Sequence, residues 1–285
     1  MARVAIITRT KDRPKLLKRA FETLRAQTFR EFEWMIVNDG GEGAPVDEIA
    51  AASRDGGIPT RVLHNRDSLG MAAAANRGVE KAVSDYCVLL DDDDSWHQDF
   101  LQVMTETLDR REGLGGVVCH TLLVVEKFDK SGSIKVLRTW PRYCHLRKVT
   151  LADLARRNLF TTNSFLFRKT AWESVGRFNE QLPVLDDWDF NLRFTQCFEI
   201  GVVPQRLANY HKRYREKAAY GNTISVDRLR DAFFEASIRN HYLRIDIREN
   251  KQGLGFLLAQ GELSKPLALF EDGLMVLLTC MGYKW

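Results

Sequence analysis

Four consecutive aspartates, Asp91–Asp94, directly follow the apolar run Tyr86–Leu90. The run has the length and the residue types of a buried strand, and open α/β sheets bind ligands at the carboxyl ends of their strands. Adjacent carboxylates raise one another's pKa unless a cation neutralises them. A hard divalent ion, Mg²⁺ or Mn²⁺, held by one or two carboxylates together with phosphates of a substrate would meet that need. The alternative is a solvated acidic turn.

A helix is predicted to begin immediately after the aspartates. Ser95 and Gln98 have the spacing of a capping box. Large apolar residues then recur every four positions, at Trp96, Phe100, Met104 and Leu108. Capping accounts for Ser95, but it leaves the carboxylates of Asp91–Asp93 available for chemistry.

Composition limits the class of protein. The chain has 285 residues, of which 45% are hydrophobic, and a net charge of +4, so its bulk charge implies no nucleic-acid partner. Its five cysteines are scattered without a CxxC pair, which indicates buried thiols in a reducing compartment. The N-terminus lacks the apolar core of a signal peptide, and no apolar run is long enough to span a membrane. A cytoplasmic protein is therefore expected.

Strand and helix patterns alternate from Val4 to the aspartates, which predicts an α/β fold with a mostly parallel sheet covered by helices. Further along, Val117–Phe128 and Ser133–Thr139 are typical of a hairpin. The remaining predicted strands are Ser164–Phe167, Ile200–Val203 and Arg206–His211. The sheet is thus expected to gain antiparallel strands in its second half.

From about residue 220 the sequence becomes helical and poor in strands. We therefore predict a first domain of residues 1–219 and a helical C-terminal extension of residues 220–285. The extension contains two apolar segments, Val226–Arg248 and Pro266–Met281. They pack on the first domain or on another subunit, or else the second segment lies at the inner face of a membrane as a peripheral contact.

Six segments together resemble the inverting nucleotide-sugar glycosyltransferases of family 2, which have the GT-A fold. They are VAIITRTKDRPKLLKRA, EFEWMIVNDGG, HNRDSLGMAAAANRGVEKA, YCVLLDDDDSW, NSFLFRKTAW and LDDWDFNLRF. The segments occur in the order of the family and cover roughly residues 1–213. The resemblance implies a nucleotide-sugar donor, with a UDP-sugar as the first choice. It also implies an acceptor hydroxyl on a saccharide or a lipid-linked glycan, in cell-surface polysaccharide synthesis.

The resemblance implies roles for particular residues on the donor side. Asp91-Asp92-Asp93 match the family's DxD metal motif, with Asp93 and Asp91 as ligands of Mn²⁺ or Mg²⁺ and with Asp91 and Asp92 facing the sugar nucleotide. Further donor contacts are implied for Thr8, Arg9, Arg13, Asp39 and Asn76. Asp39 would accept a hydrogen bond from a pyrimidine base. His211 would complete the metal shell or touch the diphosphate.

On the acceptor side, Asp186-Asp187 stand where the family usually has Glu-Asp, which makes Asp187 the candidate catalytic base. Chemistry independently requires such groups. The departing nucleoside diphosphate needs its growing charge stabilised, and the acceptor hydroxyl needs a positioned base. Single inversion places the base and the leaving group on opposite faces of the sugar. Two acidic sites far apart in the sequence suit that arrangement.

Each assignment has a structural alternative. Asp39 precedes two glycines and could form a turn, and Asn76 could cap or turn. His211 could be structural, and Asp187 could be a helix-capping acid. The alternative functions are a non-catalytic sugar-nucleotide-binding scaffold subunit and a sugar nucleotidyltransferase. A nucleotidyltransferase should carry a glycine-rich phosphate loop after the first strand, whereas this loop is TRTKDRP.

Overall fold

The computed structural model of the protein describes residues 2–129, 133–213, 220–221 and 228–263. Its first part alternates strands and helices as predicted: β1 (Val4–Thr10), α1 (Pro14–Arg25), β2 (Phe32–Asp39), α2 (Ala44–Asp55), β3 (Thr60–Asn65), α3 (Met71–Lys81) and β4 (Tyr86–Leu89). The strands pair in parallel in the order β3-β2-β1-β4. Ala5 of β1 packs in one cluster with Ala75 of α3, whereas Val4 packs in another with Leu17 of α1. Helices thus cover both faces of this sheet.

The parallel register brings the ends of three strands to one edge of the sheet. Thr10, the last residue of β1, pairs with Asn38 near the end of β2. Ile7 of β1 pairs with Leu89, the last residue of β4. The segments that follow β1, β2 and β4 therefore begin side by side, and the aspartate run is one of them.

The second part is organised around one long strand. The elements are β5 (Ser95–Trp96), α4 (Phe100–Asp109), β6 (Leu114–Phe128), β7 (Ile134–Arg142), α5 (Leu151–Arg156), β8 (Phe165–Arg168), α6 (Lys169–Val175), α7 (Asp186–Cys197), β9 (Glu199–Arg213) and α8 (Arg228–Arg248). β6 runs parallel to β9 and antiparallel to β8 at its start and to β7 at its end. β8 pairs with β4, which joins the described strands into one mixed sheet. The two strands predicted at 200–203 and 206–211 form the single strand β9.

The predicted start of a helix directly after the aspartates is wrong. Ser95 and Trp96 form β5, which pairs with Asn209 and Ala208 of β9, and α4 begins only at Phe100. The indole of Trp96 stacks on the ring of Phe100 with centroids 4.1 Å apart. Ser95 therefore pairs with a strand that is distant in the sequence instead of capping a helix.

Helix α8 packs back on α7, within the predicted first domain. The guanidinium of Arg239 lies 4.9 Å from the ring centre of Trp188 in α7 and donates to two backbone carbonyls. The hydroxyl of Tyr242 donates to Asp189 at 2.8 Å. The C-terminal segments were expected to pack on the first domain, to pack on another subunit or to lie at a membrane. Helix α8 packs on the first domain.

The remainder of the predicted extension is only partly described. Residues 254–263 are helical, and the second apolar segment, Pro266–Met281, lies outside the described residues. The boundary between residues 219 and 220 stays a prediction. Within the ranges that the structure describes, no helix combines the length and the apolar character needed to cross a membrane.

The docking of α8 can be tested through Arg239, which is almost fully buried and ion-paired with Glu235 and Glu262. Arg239→Ala is expected to lower the free energy of unfolding by about 3 kcal/mol, because it leaves buried carbonyls and a carboxylate without their cation. Urea denaturation followed by tryptophan fluorescence measures the change. The control is Arg248→Ala, an exposed position in the same helix, which should stay within about 0.5 kcal/mol of wild type. Equal stability of the two variants would contradict a role for Arg239 in docking.

Candidate active site

Arg9, at the end of β1, connects the two acidic groups of the chain. Its Nε and Nη2 donate to the two oxygens of Asp91 at 2.7 and 2.6 Å. Its Nη1 lies 3.8 Å from Asp186 Oδ2 and donates to the carbonyl of Met71. Burial lowers the pKa of Arg9, but the attraction of Asp91 and Asp186 outweighs burial and keeps the pKa above its ordinary value. The structure therefore brings together the aspartate run and the start of α7.

Asp92 anchors the segment between β1 and α1. Its side chain is completely buried, Thr10 Oγ1 donates to it at 2.7 Å, and Arg13 Nη2 lies 2.8 Å from its Oδ1. Burial raises the pKa of Asp92, and Arg13 opposes that rise. Asp92 was predicted to face the donor. In the structure its carboxylate lies in the interior, where it bonds to Thr10 and pairs with Arg13.

Asp93 presents its carboxylate beside two arginines. Arg213 donates to Asp93 Oδ2, and Arg13 Nη1 lies 3.5 Å from the same oxygen. Arg19 donates to the backbone carbonyl of Asp93 at 2.9 Å. Burial raises the pKa of Asp93, but Arg13 and Arg213 outweigh burial and hold that pKa below its ordinary value. Asp93 is therefore ionised and surrounded by cationic side chains.

Glu126, near the end of β6, was missed in the sequence. Its side chain is 1% exposed, and three cationic or basic groups surround it. Arg19 donates to Oε1 at 2.8 Å, His211 Nδ1 lies 2.8 Å from Oε2, and Arg213 Nη1 lies 3.9 Å from Oε1. Burial raises the pKa of Glu126, but His211 and Arg19 outweigh burial and hold it low. One signal could have found it, since Glu126 is the first charged residue in the apolar run LLVVEKF.

His211 lies beside the aspartate run with both ring nitrogens engaged. Nδ1 is bonded to Glu126, and Nε2 lies 2.8 Å from Ser95 Oγ. In the described ranges no three His, Cys, Asp or Glu side chains are arranged to hold a metal ion. A Mg²⁺-like ion needs only one or two carboxylates when substrate phosphates supply further ligands. The partly exposed carboxylates of Asp91 and Asp93 fit that limited role.

Asp187 lies in the first turn of α7 and is held by hydrogen bonds. Its Oδ2 accepts from Asn158 at 2.8 Å and from Thr162 at 3.2 Å, and its Oδ1 accepts from the backbone N–H of Trp188. Burial raises the pKa of Asp187, and these hydrogen bonds only partly oppose it. The preceding Leu185 adopts a left-handed conformation with φ of 62°, a strained geometry that often occurs at functional sites. A fixed carboxylate of raised pKa suits a general base.

Asn158 is a second residue that no motif in the sequence indicated. Its amide nitrogen donates to Asp187, and its carbonyl oxygen accepts from Asn191 at 3.1 Å. Asn158 precedes the strand β8, and Asn191 lies one turn further along α7. Asn158 therefore positions the carboxylate of Asp187 from outside its helix.

Two residues predicted to contact the donor have buried side chains that form hydrogen bonds within the protein. Thr8 is completely buried and accepts a hydrogen bond from the indole of Trp34 at 2.8 Å, so its side chain does not reach the end of β1. Asn76 is buried in α3, where it donates to the carbonyl of Phe178 and to Glu180 and accepts from the Phe178 N–H. Asn76 ties α3 to the segment before α7.

Asp39 organises the segment that precedes α3. Its two oxygens accept four hydrogen bonds, from Asn65 Nδ2, Ser68 Oγ and the backbone N–H groups of Leu69 and Gly70. A carboxylate has about four acceptor positions, so none is left over for a pyrimidine base. This geometry favours the structural alternative for Asp39.

Comparison with known sequences identifies relatives. The profile of Glycosyl transferase family 2 matches residues 5–174. The amylovoran biosynthesis glycosyltransferase AmsB of Erwinia amylovora is 28% identical over 192 residues, 67% of this chain and 63% of that protein. The uncharacterized glycosyltransferase YwdF of Bacillus subtilis is 26% identical over 208 residues, 71% of each chain. The chain thus spans less than two thirds of the length of AmsB.

Solved structures share the fold at low sequence identity. Residues 1–349 of TarS of S. aureus, in complex with UDP-GlcNAc, superpose with a TM-score of 0.66 at 16% identity, covering 92% of this chain and 71% of that fragment. The mannosyltransferase PcManGT of Pyrobaculum calidifontis, in complex with GDP-Man and Mn²⁺, gives 0.60 at 15% identity and covers 99% of this chain and 76% of PcManGT. The predicted GT-A fold, a mostly parallel mixed sheet flanked by helices, is confirmed.

The structural role of Asp39 predicts a particular dependence of stability on pH. Burial raises the pKa of Asp39, but the hydrogen bonds from Leu69, Asn65 and their neighbours outweigh burial and hold the pKa below its ordinary value. A carboxyl with a depressed pKa stabilises the fold above its unfolded pKa, about 3.9, and this stabilisation is lost as the pH falls further. Asp39→Asn should therefore lower the melting temperature by about 5 °C at pH 7. The deficit should shrink below about pH 4.

Melting temperatures measured from pH 3 to pH 8 test this expectation. The control is Asp67→Asn, an exposed position in the same segment, which should melt like wild type throughout. An Asp39→Asn protein that melts like wild type at pH 7 would contradict the structural role and restore Asp39 as a candidate for base recognition.

Proposed function

Because the chain belongs to glycosyl transferase family 2, we propose that it transfers a sugar, with inversion, from a nucleotide-sugar donor to a hydroxyl of a saccharide or lipid-linked glycan. The observation that carries this proposal is the position of Arg9 between Asp91 and Asp186. It places the row of carboxylates and arginines beside the carboxylate proposed as base. The donor phosphates and the acceptor hydroxyl would therefore meet in one site.

On the donor side, the proposal assigns cation binding to Asp93 and Asp91. A bound Mn²⁺ or Mg²⁺ would neutralise the charge that develops on the departing diphosphate. Arg13 and Arg213 lie at the same place, and guanidinium groups bind phosphate oxygens as well as carboxylates. His211 is a further candidate ligand: its Nδ1 is hydrogen-bonded to Glu126, and its Nε2 would bind the cation in place of its present partner, Ser95 Oγ.

On the acceptor side, Asp187 would accept the proton of the attacking hydroxyl. Its raised pKa strengthens it as a base at neutral pH, and Asn158 and Thr162 fix its orientation. The hydroxyl oxygen would attack the anomeric carbon from the face opposite the leaving diphosphate. The bond to the diphosphate breaks as the new glycosidic bond forms, which gives a single inversion.

We propose UDP-sugars as the first donors to test, as the family resemblance implies, and we assign the pathway to polysaccharide biosynthesis. TarS is bound to UDP-GlcNAc and PcManGT to GDP-Man, so the neighbours support a nucleotide-sugar donor without fixing its base. The name of AmsB supports a polysaccharide product. The segment TRTKDRP after β1 lacks the glycine-rich phosphate loop expected of a nucleotidyltransferase. If no sugar nucleotide reacts in a donor screen, the alternative of a non-catalytic scaffold subunit would be favoured.

Metal dependence is the first test of the donor side. EDTA, and separately Asp93→Ala, should lower nucleotide release from the preferred UDP-, GDP- or dTDP-sugar by at least about 100-fold, because diphosphate and carboxylates lose their shared cation. Calorimetric titration of UDP with and without MnCl₂ should show tighter binding with Mn²⁺ in the wild type but not in Asp93→Ala. Asp85→Ala, an exposed aspartate just before β4, is the control and should behave like wild type. Full activity in EDTA would exclude the metal.

The assignment of the base is tested by separating turnover from donor binding. Asp187→Asn keeps the shape of the side chain and removes the proton acceptor, so turnover should fall by about 10²–10⁴-fold. Binding of the sugar nucleotide with Mn²⁺ should stay within about threefold of wild type, under roughly 1 kcal/mol. Asp93→Ala should lose both properties. Near wild-type turnover by Asp187→Asn would place the base at another residue, with Asp186 the next to be tested.

A further inference from the structure

One face of the three strands β7, β6 and β9 carries basic and aromatic side chains. Residues that pair across neighbouring strands project to the same face of a sheet. Thr121 of β6 pairs with Arg142, Leu123 pairs with both Trp140 and Tyr210, and Val125 pairs with both Arg138 and Lys212. We call Arg138, Trp140, Arg142, Tyr210 and Lys212 the basic face.

Two cations of the basic face, Arg142 and Lys212, are half-buried. Within the described residues, neither of them forms an ion pair with a carboxylate. Arg142 instead lies over the rings of Tyr143 and Tyr210, with centroids 4.8 and 5.6 Å away, and donates to Tyr143 Oη at 2.9 Å. Burial and the neighbouring Arg142 both lower the pKa of Lys212. Two like charges in such surroundings are unfavourable unless an anion joins them.

The basic face adjoins the proposed base. Thr121, beneath Arg142, shares a 3.0 Å hydrogen bond with Thr161, whose neighbour Thr162 donates to Asp187. The charge of Asp187 contributes to the raised pKa of Arg142. The alternate residues of the same strands, among them Glu126, project to the opposite face beside Asp93. Arg142 therefore lies on the side of the proposed base, while Tyr210 lies between that side and the aspartate run, whose Asp93 and Asp94 also act on it.

We propose that Arg142 and Lys212 bind an anionic group of the acceptor, a carboxylate or a phosphate carried by the sugar that presents the attacking hydroxyl. Trp140, which is 36% exposed, and Tyr210 would pack against the sugar ring. The two cations supply charge-assisted hydrogen bonds to anionic oxygens. This inference rests on the proposed glycosyl transfer and narrows its acceptor to acidic saccharides.

Three small probes test the basic face: glucose, glucuronate and glucose 6-phosphate. Titrations followed by saturation-transfer NMR should show that wild type binds at least one anionic probe about tenfold or more tightly than glucose. Arg142→Gln and Lys212→Gln should each reduce the ratio of anionic-probe affinity to glucose affinity by about tenfold. Lys135→Gln, an exposed position on β7, is the matched control and should keep it. UDP affinity, measured in every variant with Mn²⁺, should stay within about twofold and also shows that the variants are folded.

Each outcome decides the inference. A preference for glucuronate alone or for glucose 6-phosphate alone supports it and identifies the anion as carboxylate or phosphate. Equal binding of all three probes, or an unchanged preference in Arg142→Gln and Lys212→Gln, overturns it. If UDP affinity falls together with probe affinity, the two cations serve the donor, and the inference is also overturned. Failure of wild type to bind any nucleotide would instead overturn the proposed function, because the probes report on a separate face.

Discussion

Three arginines compensate the charge of the aspartate run, and the arrangement of the site depends on that compensation. Carboxylates crowded at the end of a strand repel one another and lose hydration. Arg9 pairs with Asp91, Arg13 with Asp92 and Asp93, and Arg213 with Asp93. These arginines come from β1, from the segment after β1 and from β9, so their pairing also fixes those elements relative to β4. Arginine binds phosphate in the same forked geometry as carboxylate, so the groups that stabilise the fold are also suited to a sugar nucleotide.

The elements around the site could be predicted wherever the signal was local. An apolar run that ends in aspartates marks the end of β4, and a proline marks the start of α1 at Pro14. The capping pattern at Ser95 wrongly predicted the start of a helix, because the pattern is local whereas Ser95 actually pairs with β9. Glu126 and Asn158 were missed for the same reason, since their partners lie on elements that only the folded chain brings close. The family resemblance placed Thr8 near the donor, but strand geometry turns its side chain into the core and leaves Thr10 at the edge.

The alternation of side chains along β6 and β9 puts the groups beside the aspartate run on one face and the basic face on the other. Glu126, His211 and Arg213 lie beside the aspartate run, and the residues between them face the other way. A shift of one residue in the pairing of these strands would exchange the two sets. The extensive parallel pairing of β6 with β9 is therefore a requirement of the site as well as of the fold.

Helix α7 carries Asp187 in its first turn, and α8 contacts the same turn at Trp188 and Asp189. The C-terminal segment therefore supports the turn that carries the proposed base. Displacement of α8 would remove this outer support, while Asn158 and Thr162 would still bond to the carboxylate of Asp187 and the arginines and aspartates at the strand ends would stay in place. The position of α8 would in this way act on the proposed base without changing the groups proposed to hold the nucleotide.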